Sequence, residues 1–182
     1  MNRREFVEFA AMASWAGPGI APNTESPRKA LFVLPANNGV YDIGHGEARI
    51  LAGAEDTGGA WWAGSLMSEA GRKTSLHVHY SADEQLYVLD GVLSVWMDDR
   101  WQDLPVGGLA TAPRGVPHAL GNRTTKPLRY LVVGNPAGFE KFFVDIEAAA
   151  RKMPYASPEF LSELAQIYTK YDSKLLGPPP VG

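Results

Sequence analysis

Between residues 30 and 134 the chain carries no run of helical periodicity, and that absence limits the folds open to it. The stretch breaks into short apolar segments, each bounded by Gly, Pro, Asn or Asp, which is the pattern of strands rather than helices. Candidate strands fall at 31–34, 48–51, 61–67, 75–80, 85–89, 92–97, 109–112, 118–120 and 128–134, with a turn-rich AGAEDTGGA between the second and third. So many short strands in one stretch predict an antiparallel sandwich or barrel. Asp90-Gly91 has the chemistry of a two-residue hairpin, and Asp98-Asp99-Arg100 reads as the next turn.

The period then changes. Phe139, Phe142, Phe143 and Ile146 recur at helical spacing and make one apolar face. A second helix begins with Ser157 as N-cap and Pro158 at its first position. Its apolar stripe is Leu161, Leu164, Tyr168 and Tyr171, and Gly177-Pro178-Pro179-Pro180 ends it. The expected organisation is an N-terminal segment and linker at 1–28, a β-barrel at 29–135 and a helical extension at 136–182.

Chemistry concentrates in the histidines. The chain has four, His45, His77, His79 and His118, and no cysteine. The lack of cysteine excludes disulfides, thiolate metal sites and cysteine nucleophiles. Residues i and i+2 of a strand point to one face, so His77 and His79 aim two imidazoles at one place while Val78 faces away. A turn at 80–83 brings Glu84 onto the neighbouring strand, and His118 arrives from a different hairpin. Three neutral nitrogen donors with one carboxylate suit one divalent first-row metal, among Fe, Mn, Ni, Co, Cu and Zn. Such a set leaves an open position only at five or six coordination. Asp83 competes with Glu84 for the carboxylate role, although strand parity prefers Glu84. His45 stands apart and reads as a loop residue.

Two spacings carry a resemblance. Gly71-x5-His77-x-His79-x4-Glu84-x6-Gly91 and Gly107-x5-Pro113-x-Gly115-x2-His118-x3-Asn122 resemble the two motifs of the cupin family, without a gap in either. The motifs cover 71–122, and the strand pattern extends the likeness to about 30–140. The resemblance implies an all-β fold, a jelly-roll β-barrel, with His77, His79, Glu84 and His118 as the four metal ligands inside it. The EDTGGAWW stretch and the GNPAGFEKFF segment are similar to those of quercetin-dioxygenase-like monocupins. That likeness implies a dioxygenase acting on a small aromatic or other apolar, oxygen-chelating substrate. Glu84 then serves both as ligand and as acceptor of a substrate proton. The alternatives are a non-redox isomerase or lyase that uses the metal as Lewis acid, and a binding module with a structural metal. Cysteine dioxygenation is disfavoured, because the family that performs it usually lacks the glutamate.

By parity Leu86 and Val88 share the face of Glu84, and Leu120 that of His118. Trp61 or Trp62, Trp96 and Tyr130 are candidates for the pocket wall, with Phe139, Phe142 and Phe143 closing its mouth. The formal charge is −3 with no basic patch, which gives nucleic-acid binding no support. No run of about 18 apolar residues offers a membrane span. Arg3-Arg4-x-Phe6-Val7 resembles a twin-arginine export signal, with Gly19-Ile20-Ala21 as a small-residue cleavage site. Glu8 interrupts its apolar part, so an amphipathic surface helix over 3–15 in a cytoplasmic protein is the other reading. Barrels of this kind often pair near their N-termini. The apolar strand at 31–34, an unprotected edge, makes a homodimer the expected assembly.

Overall fold

The computed structural model describes residues 31–34, 39–44 and 46–182. The export-signal or helix reading of 3–15 and the loop reading of His45 lie outside the described residues.

Eleven strands are present among the described residues, in chain order: β1 Val40–Asp42, β2 Gly46–Ala52, β3 Trp62–Ser68, β4 Leu76–His79, β5 Asp83–Asp90, β6 Val92–Met97, β7 Arg100–Pro105, β8 Leu109–Ala112, β9 Ala119–Gly121, β10 Leu128–Asn135 and β11 Ser173–Gly177. Three helices accompany them: α1 Ala54–Thr57, α2 Lys141–Ala150 and α3 Pro158–Lys170. One sheet runs β1-β2-β3-β10-β5-β8, a second runs β7-β6-β9, and β11 pairs with β4. Every strand pairing is antiparallel. Bridges His77↔His118 and Lys73↔Gly121 join the two smaller sheets into one layer, ordered β7-β6-β9-β4-β11. The result is a jelly-roll barrel of two facing layers. Leu86, Val88, Leu93, Val95 and Val132 from the two layers fill its core, each at most 2% exposed.

Several expectations are corrected. Asp90-Gly91 does not close a hairpin, because β5 pairs with β10 and β8 while β6 pairs with β7 and β9. Gly91, at φ 81°, turns a corner where the chain changes layers, and a Cβ there would press on the Pro127 carbonyl at 3.0 Å. The turn from β4 to β5 also changes layers, so Glu84 does not sit on a strand adjacent to the histidine pair. Residues 31–34 form no strand. Their side chains are exposed. β1 and β7 went unforeseen, and AGAEDTGGA contains the short helix α1.

The turn expected at Asp98-Asp99-Arg100 is present as a two-residue hairpin between β6 and β7, with Arg100 already paired to Met97. Asp98 and Asp99 both take positive φ there, as that loop requires.

A ten-residue helix is marginal alone in water. α2 persists because Phe142, Phe143 and Ile146 are buried on the barrel, each contributing about 1.5–3 kcal/mol. Trp62 lies beneath them, 5.7 Å from Phe143 ring to ring. Gly134 leaves room for that indole, since a Cβ there would overlap it. α3 begins as expected, with the Ser157 hydroxyl accepting from Phe160 N at 3.1 Å. Its buried face is Phe160, Ile167 and Tyr168, whereas Leu161 is 44% exposed. The helix also stops early. Asp172 takes φ 48° and turns the chain, and 173–177, expected as helix, become β11 against β4.

Candidate metal centre

His77 and His79 are both 4% exposed and project inward from β4. His118 is 1% exposed and exchanges both backbone hydrogen bonds with His77, at 3.0 and 2.8 Å. Glu84 enters from the opposite layer on β5 and is 8% exposed. One ligand atom from each of these four side chains can be chosen so that all lie within 4.8 Å of one another. Asp83 points elsewhere: its two oxygens receive Arg114 Nε and Nη2, both at 3.0 Å, and Arg114 N at 2.9 Å. That pairing holds the Asp83 carboxyl well below the usual range, the hydrogen bonds from Arg114 being the main cause. Of the two carboxylates, the cluster contains Glu84 and not Asp83.

The outer nitrogen of each imidazole fixes its tautomer. His77 Nδ1 meets Ser75 O at 2.8 Å, and His118 Nδ1 meets Val116 O at 3.0 Å. A carbonyl only accepts, so in both rings Nδ1 carries the proton and Nε2 presents a lone pair inward. His79 is held differently. Its Nδ1 lies 2.8 Å from Ser173 Oγ, and that hydroxyl lies 2.9 Å from Tyr171 O. The single hydroxyl proton goes to the carbonyl, so Ser173 accepts from His79 Nδ1–H and the third Nε2 is likewise free.

At the centre, His118 Nε2 lies 3.3 Å from Glu84 Oε2. Both atoms are buried without a hydrogen-bond partner. With Nδ1 protonated, a lone pair there faces a carboxylate lone pair, an arrangement that a shared cation relieves. The donor set therefore fits a divalent ion. Electrostatics agree. Burial pushes His77 well below the ordinary imidazole value, and the neighbouring His118 and His79 push the same way. Burial also lowers His79, partly offset by Glu84. Burial works against charge on Glu84 and His118 too, but their mutual attraction outweighs it. The Glu84 carboxyl is held low and the His118 imidazole high.

The cluster opens onto a cavity of about 320 Å³ between the barrel and the C-terminal helices. Its wall is mostly apolar and includes Leu66, Leu120, Phe139, Phe142, Phe143 and Tyr168. The Phe139 ring stands edge-on to His79 at 4.5 Å and stacks on Phe142 at 4.5 Å. Tyr130 and the three phenylalanines line the cavity as expected. Trp61, 41% exposed, does not, and neither do Trp62 or Trp96. Leu86 and Val88 share the inward face of β5 but are sealed in the core. The sequence reading missed Ser173 altogether. It lies 94 positions from His79, in a stretch taken as helix.

A family model described as a cupin domain matches residues 66–134, which contain all four clustered residues. The quercetin 2,3-dioxygenase of Bacillus subtilis (strain 168) is 30% identical over 138 residues, 74% of this chain and 41% of that protein. The chain therefore spans about two fifths of that relative's length. Among solved structures, KdgF from Halomonas sp. aligns with a TM-score of 0.55 at 17% identity, covering 62% of this chain and 98% of its own. An RmlC-like cupin from Shewanella frigidimarina aligns with a TM-score of 0.53 at 18% identity, covering 62% and 96%. At these identities the two structures speak to the fold alone.

Proposed function

The chain is a small cupin, and from that premise we propose that it is a metal-dependent dioxygenase acting on a small aromatic or other apolar substrate that chelates through oxygen. The observation that carries this reading is the buried cluster of three imidazoles and one carboxylate, opening directly onto an aromatic-walled cavity. The similarity to a quercetin 2,3-dioxygenase supports it.

His77, His79 and His118 would hold the ion through Nε2, and Glu84 through a carboxylate oxygen. The bound ion supplies Lewis acidity and, where it is redox-active, a route for electrons to dioxygen. The protein's own contribution is positional and electrostatic. Phe139, Phe142 and Phe143 keep bulk water from the reacting end, which strengthens every charge interaction there. Glu84, ionised at neutral pH, stands ready to take a proton from a substrate hydroxyl that reaches the cluster. A purified, metal-loaded sample is expected to consume dioxygen when given a flavonol or a catechol, with both oxygen atoms recovered in product. Substrate loss without oxygen uptake would instead place the chain among the non-redox isomerases or lyases. Stable metal with no turnover would make it a binding module.

The same ligand assignment gives Ser173 a measurable role. Ser173→Ala leaves a buried Nδ1–H on His79 without its acceptor and frees the ring to turn. Losing such a supporting partner costs about 10- to 100-fold in metal affinity. Competition against a chelator is expected to read that loss, and Ser173→Thr, which keeps a hydroxyl, to recover much of it. Equal affinity in the alanine variant and the unaltered chain would reduce Ser173 to packing.

A further inference from the structure

Two tyrosine hydroxyls of the cavity lie outside the metal cluster. Tyr130 on β10 and Tyr168 on α3 are only 3% and 6% exposed, and both line the cavity. Neither hydroxyl has a hydrogen-bond partner among the described residues. A buried tyrosine normally finds one. Tyr171 does, donating to Asp145 Oδ2 at 2.7 Å. Neither unpaired oxygen belongs to the buried atoms sealed off from all solvent. In residues so enclosed, the hydroxyls therefore open to the cavity itself.

Their placement is complementary. Tyr130 rises from the six-stranded sheet, where it faces Val88 on one side and Leu66 on the other. Tyr168 comes from the helical cover, its ring 5.2 Å from the His77 ring. One donor thus stands on the barrel side of the cavity and one on the helix side. Burial raises both phenols far above their ordinary range, and the Glu84 charge raises them further. Both are protonated donors across the physiological range. Most other groups on the wall are hydrocarbon, so an oxygen-bearing ligand finds its orienting donors here.

We propose that Tyr130 and Tyr168 donate hydrogen bonds to oxygen atoms of the substrate, selecting a planar aromatic molecule that bears a carbonyl or enolate beside a hydroxyl. This rests on reading the cluster as the place where the substrate's chelating oxygens are handled. A ligand gripped by both phenols is held in one orientation, its hydroxyl edge toward Glu84 and its hydrocarbon body among the phenylalanines.

The test uses metal-loaded full-length protein without dioxygen and two probes: flavonol, and phenylnaphthalene, a planar aromatic of similar size with no oxygen. Tyr130→Phe and Tyr168→Phe keep the ring and remove only the hydroxyl, and thermal melting checks that the fold is intact. Each variant is expected to bind flavonol about fivefold to tenfold more weakly, the usual yield of one hydrogen bond. Phenylnaphthalene binding should not change. Equal losses for both probes, no loss for either, or no flavonol binding by the unaltered chain would overturn the proposal. Flavonol binding that depends on both hydroxyls but leads to no oxygen uptake, once air is admitted, supports the tyrosine assignment and refutes the dioxygenase reading alone.

Discussion

His118→Ala protein is expected to emerge from purification nearly free of divalent metal, under conditions where the unaltered chain holds one ion. His118 is the most deeply buried of the four residues and the one whose Nε2 faces the Glu84 oxygen at 3.3 Å. Removing it takes away a donor and leaves Glu84 with an empty space in place of its nearest partner. The loss should exceed the roughly 10- to 100-fold that a missing supporting residue costs, because here the ligand itself is gone. Both backbone bonds to His77 survive the substitution, so the strand bridge and the fold are retained. Metal analysis of the dialysed protein, beside a melting curve, separates loss of the site from loss of structure. His77→Ala should behave alike, and full metal retention in both variants would remove the assignment.

Acid should do reversibly what His118→Ala does permanently. His77 and His79 stay neutral below their ordinary value because they are buried. An unfolded chain takes up protons on these residues near pH 6.5, and the folded one refuses them, so their contribution to stability is present above that pH and falls as pH drops through it. His118 has the opposite sign, since Glu84 holds its value up. As pH falls, protons therefore compete with an incoming ion for His118 sooner than for the other two imidazoles. Metal affinity is therefore expected to fall as acid is added, with His118 the first residue a proton takes and His77 and His79 following only at lower pH. Affinity independent of pH between about 8 and 4 would exclude histidine ligands.

Local patterns were legible in the sequence and long-range partners were not. His77 and His79 could be placed on one face from their spacing alone, because a strand alternates regardless of what surrounds it. Ser157 and Pro158 marked the start of α3 for the same reason, since a helix N-terminus must satisfy its own N–H groups. Asp90-Gly91 shows where local reading ends. Gly91 does take a positive φ, but a tight turn serves equally well between paired strands and at a corner between layers. The stretch 173–177 carries no alternation of its own. It becomes a strand because β4 has an open edge beside it, and only then does Ser173 arrive next to His79. Asp172, which can take a left-handed turn, was the one hint that α3 would stop there. Tyr168 was read as part of a packing stripe. Its ring does pack, and only the cavity reveals the unpaired hydroxyl at its end.

Glu84→Gln separates the two duties proposed for that carboxylate. The substitution keeps the side chain's length and one acceptor oxygen while removing both the charge and the basicity. Three imidazoles, each with its tautomer fixed from behind, should still hold an ion, with reduced affinity. Activity must therefore be compared at saturating metal, where weaker binding no longer contributes. Under that condition, loss of a ligand charge alone leaves most of the turnover, whereas loss of a positioned base costs about 10²-fold or more. The structure favours the larger loss. Glu84 is held ionised by His118 and His79 despite its burial, it stands at the boundary between the cluster and the cavity, and among the described residues no other carboxylate lines that cavity. Tyr130 and Tyr168 offer no substitute, because both phenols are raised rather than lowered and would be poor acceptors in their neutral form. If the metal-replete variant turns over near the rate of the unaltered chain, the proton leaves the substrate by another route. Glu84 is then a ligand only, and the choice between oxygenation and Lewis-acid chemistry passes to the ion.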